Sequence, residues 1–123
     1  MILLDERDKR PIYEQMIDKL TDLMAREILT KDSPMPSVRS FAMELSINPN
    51  TVQRAYNELE RMGYIYTVKG KGSFVADNEK AKKESRQSLM GELDSLCERA
   101  RALGVTQEAV ISEVKDNYGR AEK

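Results

Sequence analysis

The sequence predicts a mainly α chain with one small β-hairpin, followed by a two-helix C-terminal region. Three observations predict it. Apolar residues recur at three- and four-residue spacing in three stretches ahead of Gly63, as in helices that bury one face. Two short β-branched and aromatic runs, "YIYTV" and "SFVA", flank the tetrapeptide "KGKG", which reads as a hairpin with a glycine-bearing tip. Beyond residue 77 the composition turns polar and charged, and helical spacing then resumes.

Residues 1–10 are a charged lead-in, and Pro11 opens the first helix, "PIYEQMIDKLTDLMAREIL". Its expected buried stripe is Tyr13, Met16, Ile17, Leu20, Leu23, Met24 and Ile28, with Asp18, Asp22 and Arg26 on the other face. "TKDSPMP" carries two prolines and reads as a loop. Ser37 caps the second helix, "SVRSFAMEL", whose inward side is Val38, Phe41, Ala42 and Leu45. "SIN" is a three-residue turn. Asn48 caps the third helix and Pro49 opens it, since a proline is already set for a first helical turn. Val52, Ala55, Tyr56 and Leu59 face inward, and Gly63 stops the helix as a left-handed residue. Residues 77–88 form a boundary and read as a solvated helix or a linker. Leu89, Leu93, Leu96, Ala100 and Leu103 then alternate spacings of four and three, the pattern of a short a/d seam. Gly104 ends that seam, and Thr106 caps a last short helix with Val110, Ile111, Val114 and Tyr118 on one side. The expected organisation is one domain over residues 1–76 and a helical region over residues 77–123.

Composition narrows the function. A chain of 123 residues allows one small domain with a helical appendage. With 40% apolar and 33% charged residues it reads as soluble, neither disordered nor membrane-bound. No apolar run approaches the roughly 20 residues needed to span a bilayer, and "MILLDERDKR" is not a signal peptide, so a cytoplasmic protein without a membrane partner is expected. Cys97 stands alone, so no intrachain disulfide is available, and it is expected as a small buried apolar residue beside the seam. There is no histidine, which removes the commonest general base and the commonest metal ligand. No catalytic residues, metal or cofactor are expected, and the chain does not read as an enzyme.

The third helix is unusual on its outer face, which carries Asn50, Thr51, Gln53, Arg54 and Asn57. Two helices joined by a tight turn, the second exposing polar tips at its start, form a helix-turn-helix. The first turns of such a second helix reach base edges in the major groove. Asn and Gln both donate and accept, as adenine N6 and N7 require, and Arg matches guanine O6 and N7. No carboxylate interrupts this face before Glu58. Ser37 opens the second helix, where free N–H groups suit a phosphate, and Arg39 lies in that first turn. Lys69, Gly70 and Lys71 at the hairpin tip add charge on a backbone able to approach closely. Between Pro34 and Gly72, five cations face three carboxylates, a local positive excess in a chain of net charge −1. The partner these features fit is double-stranded DNA. A winged-helix protein-interaction adapter is the other non-enzymatic reading.

The stretch "MPSVRSFAMELSINPNTVQRAYNELERMGYIYTVKGKGSFV" resembles the winged helix-turn-helix of GntR-type bacterial transcription regulators. The matching positions are Pro36 to Arg39, Asn50 to Val52, Arg54 and Ala55, Leu59 and Glu60, Gly63, Lys69 to Gly72, and Phe74 and Val75. The upstream "PIYEQMIDKL" fits the family's first helix, so the likeness covers about residues 8–76. It implies DNA contacts at Arg39, Asn50, Thr51, Gln53, Arg54, Lys69, Gly70 and Lys71. The chain departs from the family at Ser40, where Glu often completes a capping box, and at Pro49 and Gln53, where some members have Arg. A different operator is implied.

Residues 77–123 are too few for the ligand-binding or aminotransferase domains of most relatives and too few to enclose a typical small-molecule pocket. The organisation is similar to the short-tailed YtrA type, which dimerises through two C-terminal helices. Leu89, Leu93, Leu96, Ala100, Leu103, Ile111, Val114 and Tyr118 are the expected dimerisation residues, because two short amphipathic helices alone bury little apolar surface. A homodimeric repressor follows, bound to a pseudo-palindromic operator and open to a small-molecule effector of unknown identity.

Overall fold

Pro11 carries an extended backbone and opens α1 (Ile12–Ala25) in this computed structural model, which describes residues 4–5 and 7–121. The order continues with α2 (Val38–Leu45), α3 (Pro49–Arg61), β1 (Ile65–Val68), β2 (Gly72–Val75), α4 (Glu79–Ala102) and α5 (Gln107–Ala121). One compact unit ends at Lys83 and a second begins at Glu84. α4 is continuous through this point, so the polar stretch from residue 79 onward is helix.

In the first unit α3 is the hub, packing against α1, α2 and β1. Its inward residues Val52, Ala55, Tyr56 and Leu59 are all buried, together with Met16, Leu20, Met24, Phe41, Ala42, Tyr64, Ile65 and Val75. Burying a side chain of leucine or phenylalanine size contributes roughly 1.5–3 kcal/mol, so this cluster is the main source of the unit's stability. Ala81, in the first turns of α4, belongs to the same cluster. The polar residues Gln15 and Asn78 are buried as well, Gln15 the more completely. Gln15 Oε1 accepts from the Asp5 N–H at 3.1 Å, and its Nε2 donates to the Arg10 carbonyl at 3.1 Å. Both groups of the amide are thereby satisfied, and the lead-in is tied to α1.

Ile28 corrects the expected stripe of the first helix. α1 ends at Ala25, Glu27 takes a positive φ of 59°, and Ile28 is 63% exposed. The Ile28 N–H then bonds the Leu23 carbonyl and the Glu27 N–H bonds the Met24 carbonyl, the paired closure of a Schellman motif. The loop that follows does more than connect. Asp32 N–H donates to the Val75 carbonyl, Val75 N–H to Ser33, and Met35 N–H to Ser73, so residues 32–35 line the free edge of β2. The two strands pair antiparallel, with Ile65 opposite Val75 and Val68 opposite Gly72.

In the second unit, Gly104 turns the chain at φ 79°, and Thr106 Oγ1 accepts from the Ala109 N–H at 3.1 Å to cap α5. Leu89, Leu93, Leu96, Leu103, Ile111, Val114 and Tyr118 are all exposed. Cys97 is exposed too, which corrects the expectation that it is buried. It lines a cleft of about 350 Å³ with Ala100, Arg101, Val105, Gln107 and Val110.

Candidate nucleic-acid interface

Three segments carry the candidate residues, and each is set by a local device. At α2, Ser37 Oγ accepts from the Ser40 N–H at 3.0 Å, so the cap forms without the glutamate of a full capping box. This leaves Arg39 exposed in the first turn. At α3, Asn48 Oδ1 accepts from the Asn50 N–H at 2.8 Å and Pro49 occupies the first turn. Asn50, Gln53, Arg54 and Asn57 are exposed, and Thr51 is half-buried. At the hairpin, Gly70 takes φ 79° and Gly72 φ 102°, conformations that favour glycine, and the adjacent Lys69 and Lys71 are exposed.

α3 ties the first two segments together. The Tyr56 hydroxyl donates to the Pro36 carbonyl at 2.8 Å, and the Tyr56 ring lies 6.4 Å from that of Phe41. The start of α2 is thereby fixed against the middle of α3. The hairpin is fixed at its base, where the Tyr64 N–H bonds the Leu59 carbonyl at 2.8 Å, and further along β1, where Thr67 Oγ1 donates to Glu60 Oε2 at 3.4 Å. Tyr66 stacks on Phe74 at 5.6 Å and donates to Asp32 Oδ1 at 2.9 Å, which stiffens the hairpin face. Lys69 and Lys71 are held only by the backbone that carries them: among the described residues they have no ion pair, and neither does Arg39.

Electrostatics follow the same division. Glu58, the first carboxylate on α3, is bound by the Arg61 guanidinium at 2.8 and 3.2 Å, which holds its carboxyl below the ordinary carboxylate range. The first turns of α3 thus present amides and a cation, and the carboxylates lie further along, already engaged. Two contacts were not legible from spacing. Gln53 Nε2 donates to Asn57 Oδ1 at 2.8 Å, linking two of the amides one helical turn apart. Arg54 lies over the Tyr13 ring at 3.9 Å and donates to its hydroxyl at 3.3 Å, across 41 residues of sequence. A tyrosine at the start of the first helix gives no local signal for that partnership.

The sequence profile of the gntR family of bacterial regulatory proteins matches residues 12–75, the span from α1 to β2. The chain belongs to the GntR family. It is a transcriptional regulator with a DNA-binding domain of the winged helix-turn-helix type. The chain is 37% identical to the HTH-type transcriptional repressor YtrA of Bacillus subtilis, over 94% of this chain and 91% of that one. It is 34% identical to the HTH-type regulator YhcF of the same organism, over 89% and 91% of the two chains. The crystal structure of a transcriptional antiterminator from Listeria monocytogenes superposes with a TM-score of 0.76, at 34% identity, covering 97% of this chain and 90% of that one. The relatives of this GntR chain are regulators, and no described helix is long and apolar enough to cross a membrane.

Proposed function

We propose that this GntR regulator is a homodimeric repressor that reads a pseudo-palindromic operator. Residues 1–76 are the reading head in this account and residues 77–123 the dimerisation region. One observation carries the reading: a capped α3 whose first turns expose Asn50, Gln53 and Arg54, with the nearest carboxylate bound by Arg61. Asn and Gln meet adenine edges there and Arg meets guanine, each bidentate pair discriminating by roughly 1–3 kcal/mol against a wrong base. Thr51 and Asn57 flank these contacts. Ser37 and Arg39 at the start of α2, and Lys69, Gly70 and Lys71 at the hairpin tip, supply phosphate contacts that fix register.

Dimerisation is supported by the second unit, where Leu89, Leu93, Leu96, Leu103, Ile111, Val114 and Tyr118 expose apolar surface that a single copy leaves in water. Ala100, half-buried, continues the seam. A twofold pair places two reading heads in successive major grooves, roughly 34–36 Å apart, and blocks the promoter sterically. Repression accords with the name of the YtrA relative. A small molecule that favours one arrangement of the dimer shifts operator affinity by its differential binding to the two states.

Selection from random DNA tests this directly. The expected result is an inverted repeat with half-sites one helical turn apart. Enrichment of single, unpaired half-sites would contradict the dimer, and no enrichment at all would contradict sequence readout.

A further inference from the structure

Apart from Arg39, the other described arginines of the first unit are bound by carboxylates. Arg10 is held by Asp8 and Asp18, Arg26 by Asp22 at 3.1 Å, and Arg61 by Glu58 at 2.8 Å. Arg54 is different. Its natural partner, Glu58, stands four residues on along the same helix, within ordinary reach for an ion pair. Glu58 is instead taken by Arg61. What holds Arg54 is a neutral ring: the guanidinium lies 3.9 Å over Tyr13, and one Nη2 proton goes to the Tyr13 hydroxyl at 3.3 Å. That hydroxyl donates in turn to Glu14 Oε1 at 3.4 Å, which strengthens it as an acceptor.

The consequence follows from the donor inventory. A guanidinium has five N–H donors in one plane, and this arrangement uses one of them. The ring face fixes the plane by a cation–π contact without cancelling the charge. A carboxylate in the same place would occupy two parallel donors and neutralise the head, leaving little for a guanine O6/N7 edge or a phosphate. Tyr13 thus constrains Arg54 and keeps it available.

We infer that Tyr13 is a positioning residue for DNA readout, holding the Arg54 guanidinium without a paired carboxylate so that it meets a base edge at low entropic cost. The inference rests on the proposed operator reading and adds to it a residue of α1 that lies outside the helix-turn-helix. It makes the first helix part of the specificity of the site.

The test is a double-mutant cycle on the full-length protein, read by anisotropy on the selected operator and on a panel with single base substitutions. Arg54→Ala is expected to weaken operator binding at least about fivefold, the low end for losing a bidentate contact. Tyr13→Leu is expected to weaken it about two- to fivefold, as for an exposed cation–π contact, and Tyr13→Phe, which keeps the ring face, by about twofold. In the Arg54→Ala background both Tyr13 substitutions are expected to have no effect. Tyr13→Leu and Arg54→Lys are expected to flatten preference at the same base positions, which a purely structural role of Tyr13 would not do. Tyr13→Phe keeps the measurement open if Tyr13→Leu does not fold. Losses that add fully to that of Arg54→Ala, or base preferences unchanged in the Tyr13 variants, would overturn the inference while leaving operator binding intact. Absence of selective binding by the unsubstituted protein would overturn both.

Discussion

Tyr56 joins three parts of the first unit through one side chain. Its ring is buried against Phe41, its hydroxyl donates to the Pro36 carbonyl, and burial pushes its ionisation above the ordinary value near 10. The neutral phenol is therefore favoured in the folded state. Its contribution is fully present below the unfolded value near 10 and is lost as pH rises from there through the higher folded value. Tyr56→Phe is expected to cost about 1 kcal/mol at neutral pH, from one lost hydrogen bond. Above pH 10 the wild type should lose stability more steeply than the variant, so the gap between them should narrow; urea unfolding across pH 7–11 checks both statements. The inward position of Tyr56 was legible from its spacing with Val52 and Leu59. Its hydroxyl partner was not, because Pro36 lies 20 residues away. Gln15 shows the same limit, since a buried amide looks like a solvated one until its backbone partners are known.

Helices in this chain end by one recurring device. After α1, α2, α3 and α4, a residue of positive φ turns the chain: Glu27, Ser46, Gly63 and Gly104. Each is followed by an N–H that reaches back to an unpaired carbonyl, as in Ile47 to Ala42, Tyr64 to Leu59 and Val105 to Ala100. Gly63 and Gly104 announced their stops in the sequence because only glycine is comfortable there. Glu27 carried no such mark, and the apolar periodicity therefore ran on to Ile28. Ser46 stood within a turn already expected from its neighbours. At Gly63 an added Cβ would meet Ala81 at 3.8 Å, an ordinary contact, so backbone conformation alone opposes a side chain. Gly63→Ala is expected to destabilise the unit by about 1–2 kcal/mol without altering the fold, measurable as a lower urea midpoint at unchanged slope. A changed slope would mean that the hairpin base, which starts at Tyr64, no longer docks.

At the scale of the whole molecule, the first unit was the more legible in the sequence. Its periodicities, caps and hairpin each follow from local physics, and the exposed face of α3 stood out because amides replaced the usual charges. What spacing left unread was the wiring between elements, in the Tyr13–Arg54 contact and in the pairing of residues 32–35 along β2. The second unit gave up its helices readily, but an a/d pattern names no partner. Leu103 at 82% exposure and Tyr118 at 70% are costly to leave in water. Leu93→Glu with Leu96→Glu is expected to convert the proposed dimer to a monomer in sedimentation and to weaken operator binding at least about tenfold through lost bivalency. A double variant that still sediments as a dimer would remove this face from the interface. The central claim is that the α3 face and its flanking cations read DNA. The most direct measurement is anisotropy of the full-length protein on its own upstream DNA, across a salt series, beside a scrambled fragment and the Arg39→Ala/Arg54→Ala variant. Tight, salt-dependent, fragment-selective binding that the variant loses is the predicted result. Binding that is weak, indifferent to sequence and unchanged in the variant would contradict the account.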